Sequence, residues 1–297
     1  MKRERAARIV EESYMNNPQI IPTGKGCGAE VRGVDLAALD PLTVSTLQQA
    51  LLEHLVVFVR GQPISDPQLI ALGKTFGALE PPGMSVIGKP YIDAYPDILV
   101  ISNLEADGQP LGNLGAGEAI WHTDMSYRAV PCTIAILHSL EAPPAGGNTY
   151  FANQYMAHDT LPDDLKKKLD GRMLIHDETY NSGGQLRKGF EPVTDPRAAP
   201  GAQHRIFRTH PLTKRKALYL GRRRNAYIIG LPLEESEALL DQLWAHAAQP
   251  EFVWGHEWQP GDTLIWDNRC LNHRRDSFDP AERRMMHRVQ ISGERPH

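Results

Sequence analysis

Apolar positions along this chain switch between two periods, and each switch marks an element. Val44, Leu47, Leu51 and Leu55 recur at helical spacing behind Asp40-Pro41, an N-cap followed by proline at the first helical position. They predict an amphipathic helix over 41–55. Asp66-Pro67 repeats the cap signal before Leu69, Leu72, Phe76 and Leu79, a second helix. Residues 156–169 read as a third. Residues 232–247, with Leu239, Leu240, Leu243 and Trp244 toward a core, read as a fourth. Elsewhere the pattern is β, in short runs: 19–22, 29–36, 56–60, 97–102, 133–139, 148–152, 205–209, 217–220, 226–229, 252–258, 262–266 and 286–292.

Two stretches carry no pattern. The first, 103–118, contains Gly108, Gly112, Gly115 and Gly117 and runs into a β-like stretch, Ala119 to Tyr127. The second, 177–203, combines Gly183, Gly184, Gly189, Pro192, Pro196 and Pro200 with few apolar residues, and is expected to be a lid-like loop. Gly24-Lys-Gly-Cys-Gly28 lacks the spacing of a phosphate-binding loop and reads as a turn. Residues 1–18 are expected to be a peripheral tail or helix. With no internal repeat and no linker, the expectation is one mostly β domain over 1–297, a sandwich or barrel with peripheral helices.

Composition narrows the class. The 297 residues are 41% hydrophobic and 23% charged, ordinary for a globular protein. A net charge of -4 argues against nucleic acid or an anionic membrane surface as partner. No apolar run approaches the ~20 residues of a spanning helix, and the charged N-terminus is no secretory signal. Cys27, Cys132 and Cys270 are isolated, which fits a reducing compartment, excludes a Cys-rich zinc site and points to the cytoplasm.

The candidate chemistry begins at His122-Thr-Asp124. On a strand, residues two apart share a face, so imidazole and carboxylate can converge on one point. They would be two thirds of a 2-His-1-carboxylate site for non-haem Fe(II), or merely a hydrogen-bonded strand end. His273, just beyond a confident strand, is the best third ligand among twelve histidines. Past it, Arg284, Met286 and Arg288 alternate onto one face of a strand. Two arginines so placed suit two anionic groups, or a surface ladder of ion pairs.

These segments together resemble the taurine dioxygenase family of Fe(II)/2-oxoglutarate-dependent oxygenases, which includes the aryloxyacetate dioxygenases. The family pattern is matched by Trp121-His-Thr-Asp124, Gly146-Gly-Asn-Thr149, Trp266-Asp-Asn-Arg-Cys-Leu-Asn-His273 and Arg283-Arg-Met-Met-His-Arg288. Weaker likeness covers Gly33-Val-Asp-Leu36, Arg208-Thr-His-Pro211 and Gln249-Pro-Glu-Phe252. The resemblance implies a double-stranded β-helix (jelly-roll) core. It implies that His122, Asp124 and His273 bind Fe(II), leaving positions for 2-oxoglutarate and O2. It further implies that Arg284 pairs with the distal carboxylate of 2-oxoglutarate, helped by Thr149, and that Arg288 takes the anionic head of the primary substrate. Asp124 argues against halogenation, because halogenating relatives lack this carboxylate.

The expected activity is hydroxylation of a small anionic substrate: a sulfonate, an aryloxyalkanoate or a related acid. Hydroxylation at a carbon bearing sulfur or oxygen would lead on to C–S or C–O cleavage. The alternatives are a non-catalytic jelly-roll binding protein and a zinc hydrolase using the same three ligands. Relatives are often dimers or tetramers, so a homo-oligomer is expected. Trp121, Tyr127, Phe151 and Trp266 are candidate pocket aromatics, Tyr127 for substrate contact and Trp266 mainly for the core. His138, His210 and His287 read as structural. Gly221-Arg-Arg-Arg-Asn225 carries more charge than taurine dioxygenase has there. One of its arginines, with Arg224 the choice, is expected to point into the pocket for a larger or doubly anionic substrate. Glu118 stands where taurine dioxygenase has an asparagine near the substrate, and its charge argues against a taurine-like binding mode.

Overall fold

In the computed structural model, residues 18–82 and 89–297 are described. The tail or helix expected over 1–18, apart from its last residue, lies outside them, as does part of the Pro/Gly-rich segment after Pro81. The fold is mostly β with five α-helices among the described residues. Its largest sheet has nine strands. Along the sheet these are β1 (Gln19–Pro22), β2 (Ala29–Arg32), β3 (Val56–Val59), β18 (Thr263–Asp267), β10 (Ile134–Glu141), β20 (Met285–Ile291), β5 (Leu99–Ser102) and β8 (Asn113–Leu114), with β4 (Leu79–Glu80) also on β20. A second sheet has the order β17 (Val253–His256), β11 (Thr149–Asn153), β19 (Leu271–Arg275), β9 (Ala119–His122).

The two faces of the large sheet explain its long apolar runs. Val56 and Phe58, Ala135 and Leu137, Leu264 and Trp266, and Met286 point to one side, where they pack with Phe151 and Leu271 of the second sheet. Val57 and Val59, Ile134 and Ile136, Ile265, and Val289 point to the other. There they meet Leu47 and Leu51 of α1 (Pro41–His54) and Leu69 and Leu72 of α2 (Asp66–Phe76). Strands buried on both faces lose polar alternation and read as continuous hydrophobic sequence.

Asp40 caps α1 as expected, its Oδ1 accepting from the Thr43 backbone N–H at 2.6 Å. At α2 the N-cap is Ser65 rather than Asp66, and the Gln68 side chain reaches back to the Ser65 N–H at 2.8 Å. Asp66 bonds His287 instead, at 2.6 Å. The single helix expected over 156–169 is two, α3 (Gln154–Asp159) and α4 (Asp163–Leu169), because Pro162 interrupts it. The run expected over 205–209 is also two strands, β13 (Gly201–Arg205) and β14 (Phe207–Thr209), the latter paired to β15 (Lys216–Leu218). β13 pairs with β12 (Met173–Asp177), which in turn pairs with β16 (Tyr227–Ile228). The helix α5 (Leu233–Ala247) packs with these strands in a separate cluster around Leu174, Leu218 and Ile228. The stretch 103–118 is not wholly loop. It contains β8 and a small hairpin, β6 (Glu105–Ala106) with β7 (Gln109–Pro110). Residues 178–200 between β12 and β13 form no α-helix or strand, only a bridge between Tyr180 and Leu186 and a 3-10 turn over Pro196–Ala198.

Candidate metal centre and arginine-lined cavity

His122 is the last residue of β9 and lies directly opposite His273 of β19 in the antiparallel register. The two rings come within 4.1 Å, centroid to centroid. Asp124 lies past the end of β9, so the expectation that one strand face brings it beside His122 is corrected. A turn does so instead. The Thr123 N–H donates to the Gly221 carbonyl at 2.8 Å, and Met125 takes a left-handed φ of 53°. Asn268 then grips the backbone of Asp124 from both sides, accepting from its N–H at 3.0 Å and donating to its carbonyl at 2.9 Å.

The Asp124 carboxylate ends 3.6 Å from His122 Nε2 and 3.8 Å from His273 Nε2. One ligand atom from each residue lies within 4.8 Å of the others, a spacing that could hold a metal ion. All three side chains are buried. Nδ1–H of His122 donates to the Ile120 carbonyl at 2.7 Å, which leaves its Nε2 bare and aimed at the cluster. Burial would raise the Asp124 carboxyl, but Arg288, then His273 and His122, hold it well below the usual carboxylate range. Burial, with His122 next, pushes His273 well below the usual imidazole range, so it is neutral and able to ligate.

β20 presents Met286, Arg288 and Gln290 on one face, as the alternation predicts, and Arg284, the residue just before the strand, opens onto the same cavity. Arg288 bonds both carboxylate oxygens of Asp124, at 3.0 and 3.3 Å, and Gln290 Nε2 donates to Oδ2 at 3.1 Å. Arg284 is 1% exposed, and its buried Nε and Nη1 have no partner. Burial and the neighbouring Arg275 push its guanidinium well below the ordinary range. Arg275 itself, pushed down to about 10 by burial, donates to the carbonyls of Gly117 and Leu114 and keeps Nε and Nη1 unpartnered. Thr149 sits opposite Arg275 in the β11–β19 register, and its Oγ1 accepts from Trp258 Nε1 at 2.9 Å.

His122, Asp124, Thr149, His273, Arg284 and Arg288 all open onto one cavity of about 680 Å³, a size within the range of small-molecule sites. Tyr127 lines it too, its ring covered by the Arg187 guanidinium at 4.0 Å. Trp266 is both core and wall, while Phe151 lies behind His273. Glu118 does not line the cavity. Its side chain is 59% exposed and, among the described residues, pairs with Arg274 at 3.8 Å. Arg224 does not line it either, being exposed and stacked over Tyr180 at 3.3 Å. Arg223 pairs with Glu237 and Asp241 on α5. The arginine of this run that reaches the cavity is Arg222.

His138, His210 and His287 are placed as structural residues. His138 bonds Thr263 at 2.9 Å, His210 bonds Asp267 at 3.0 Å, and His287 bonds Asp66. Arg222, one of the three arginines of the basic run, takes the place expected of Arg224, and three residues that sequence reasoning left without a role also belong to the site: Asn268, Gln290 and Arg275. Gln290 alone carried a usable signal, since it continues the Arg284–Arg288 face by one more alternation.

The chain is similar to known proteins over most of its length. The family model described as "Taurine catabolism dioxygenase TauD, TfdA family" matches residues 19–290. The chain is 33% identical to an alpha-ketoglutarate-dependent 2,4-dichlorophenoxyacetate dioxygenase of Burkholderia sp. (strain RASC), over 87% of this chain and 88% of that one. It is equally, 33%, identical to pentalenolactone F synthase of Streptomyces avermitilis, over 90% and 91%. Among solved structures, AAD-2 in complex with Mn(II) and N-oxalylglycine superposes with a TM-score of 0.77 at 31% identity, over 94% of this chain and 98% of that one.

Proposed function

The chain belongs to the TauD, TfdA family and is a 2-oxoglutarate-dependent non-haem iron dioxygenase, and we propose that it hydroxylates a small anionic organic substrate. Sulfonates, aryloxyalkanoates and related acids are the substrate classes favoured. The observation that carries the reading is the pairing of two features in one cavity: a buried His122–Asp124–His273 cluster and two buried guanidiniums, Arg284 and Arg275, with unpartnered nitrogens. A zinc hydrolase would use the first and leave the second unexplained. A non-catalytic binding protein would need neither the bare Nε2 of His122 nor the low carboxylate of Asp124.

The residues fit the groups the family uses. Two imidazoles and one carboxylate, with no thiolate, suit Fe(II) and leave coordination positions open. When bound, iron, 2-oxoglutarate and O2 together supply the oxidant for a substrate carbon, with succinate and CO2 as co-products. Everything else is work for the chain's own side chains. His122, held by its bond to Ile120, and Asp124, held by Asn268, Arg288 and Gln290, would be preset for the metal. Arg284 would form a bidentate pair with the distal carboxylate of 2-oxoglutarate. Thr149 would donate its hydroxyl proton to the same carboxylate, because Trp258 already fills its acceptor side. Arg288, besides fixing Asp124, would meet the anionic head of the substrate.

The large sheet and the four-stranded sheet, facing one core, are read as the two halves of a double-stranded β-helix. Residues 178–200, which supply Glu178, Arg187 and Phe190 to the cavity wall, are read as its lid. Three buried free cysteines support a reducing, cytoplasmic setting. A homo-oligomer fits the resemblance. If hydroxylation falls on a carbon bearing sulfur or an ether oxygen, the product collapses with release of sulfite or an alcohol.

The test is anaerobic addition of Fe(II) and 2-oxoglutarate, which should give a weak visible metal-to-ligand band, followed by a search for succinate in air over a panel of sulfonates, aryloxyacids and sulfate esters. Absence of the band together with absence of succinate over the whole panel overturns the reading.

A further inference from the structure

Six arginines and Lys188 line the cavity, against two acids, Asp124 and Glu178. Arg288 is matched by Asp124, and Arg128 by Glu80 at 3.2 Å. Arg275 and Arg284 are the pair that 2-oxoglutarate accounts for. That leaves Arg222 and Arg187, which form no ion pair with any acid among the described residues although both present buried, unpartnered Nε atoms.

Arg222 is fixed from the backbone outward. Gly221, at a φ of +66°, lends its carbonyl to the Thr123 N–H, and Arg222 itself forms an isolated β-bridge with His122. The guanidinium therefore starts one residue from the metal cluster's own support. It is 95% buried and spends one Nη1 donor on the Tyr180 carbonyl. Arg187 arrives from the opposite limb of a turn closed by the Arg187 N–H to Thr179 carbonyl bond and the Tyr180–Leu186 bridge. Its guanidinium carbon lies over the Tyr127 ring, 4.0 Å from the centroid. Both arginines line the same cavity. Two guanidiniums on one cavity wall, each with a buried Nε and neither with an ion-pair partner among the described residues, are stabilised when an anion joins them.

We propose that Arg222 and Arg187 form a second anion subsite under the lid, and that the preferred primary substrate is dianionic, with one anionic group toward Arg288 and a second carboxylate or sulfate between Arg222 and Arg187. The inference rests on the dioxygenase reading above, since it is 2-oxoglutarate that removes Arg275 and Arg284 from the account. It also relocates the basic-run expectation from Arg224 to Arg222.

The test uses the full chain loaded with Mn(II) and N-oxalylglycine, a non-reacting stand-in for 2-oxoglutarate, and calorimetric titration with phenoxyacetate and its 2-, 3- and 4-carboxy derivatives. At least one dicarboxylate should bind about ten-fold tighter than phenoxyacetate, equivalent to ~1.4 kcal/mol. Arg222→Gln and Arg187→Gln should each bring that ratio close to one, and Arg222→Lys should restore part of it. N-oxalylglycine affinity serves as the fold check, and Arg187→Gln, on the lid, keeps the test open if Arg222→Gln fails it. A wild type that binds no dicarboxylate more tightly than phenoxyacetate overturns the proposal. So does an equal loss on both ligand types in the variants, the outcome of a purely structural latch on Tyr180. Failure of the wild type to bind N-oxalylglycine at all would instead fall on the dioxygenase reading.

Discussion

Asn268 offers the sharpest test of how the metal centre is held. Its side chain is fully buried and makes three good hydrogen bonds: from the Asp124 N–H at 3.0 Å, to the Asp124 carbonyl at 2.9 Å and to the Cys132 carbonyl at 2.9 Å. Asn268→Ala removes all three and leaves a buried N–H and two buried carbonyls without partners. At roughly 1 kcal/mol net per bond, plus an added cost for the bare N–H, the loss is about 3–5 kcal/mol. That is a large part of a typical stability, and it should lower the melting temperature of the chelator-treated protein by roughly 10 °C. Because the clamp sets where Asp124 sits, Mn(II) affinity should fall by about 10- to 100-fold as well. Asn268→Asp separates shape from hydrogen bonding. It keeps the volume and the acceptor for the Asp124 N–H, but turns an oxygen toward two carbonyls, so it should do at least as much damage as alanine. Melting in the presence of chelator reads the fold, and calorimetry with Mn(II) reads the site. Wild-type melting and wild-type Mn(II) affinity in Asn268→Asp would refute the clamp.

Three further outcomes follow from the same geometry. Trp258→Phe keeps the ring packing but removes the donor to Thr149, so 2-oxoglutarate affinity of the Mn(II) protein should drop about five-fold, near 1 kcal/mol, with Mn(II) affinity unchanged; equal affinity for the keto acid would sink the role given to Thr149. Gly221→Ala places a Cβ 2.0 Å from His176 Nδ1 at a φ of +66°, and should cost about 2–4 kcal/mol, seen as a lower melting temperature and loss of the Thr123 contact that supports Asp124. Acidification should destabilise the protein, because burial pushes His138 down to about 4 and also lowers His176, His204 and His256. Groups with depressed values are neutral when folded and bind protons on unfolding, so their contribution is complete above about 6.5, the free imidazole value, and is lost as pH falls toward 4. Melting temperatures that stay level from pH 7 to 4.5 would contradict it.

How much of this could be read from residues alone depended on whether an element's partner lay nearby. The cap and the i, i+3, i+4 spacing of α1 are local facts, and the helix sits where they put it. The break at Pro162 was equally local and was overlooked in favour of the apolar spacing on either side. β12 and β19 were a different matter. Their buried positions include His176 and Asp177, and Asn272, His273 and Arg275, so neither run shows the hydrophobic alternation of a strand. Each is a strand because another strand pairs with it, β13 and β16 for β12, β11 and β9 for β19. Those partners are distant in the chain, and no window of sequence contains them.

The same reasoning explains why the three candidate ligands were legible while their supports were not. A metal site needs particular atoms, and His, Asp and His in a recognisable order announce them. A support needs only a hydrogen bond from the right direction, which many residues could give. Asn268 and Gln290 reach Asp124 across 144 and 166 residues. Arg222 reaches the Tyr180 carbonyl across 42. Gln290 takes a buried place on a strand that otherwise reads clearly, while Asn268 and Arg222 lie outside the named strands, so the pattern is weakest where the cavity is built. It follows that an unexplained polar residue on a confidently buried strand is a better guide to this site than an exposed charge beside a motif. Gln290 on β20 meets that description and holds Asp124. Glu118 and Arg224, chosen because their charge departs from taurine dioxygenase at the matching positions, do not meet it and lie outside the cavity.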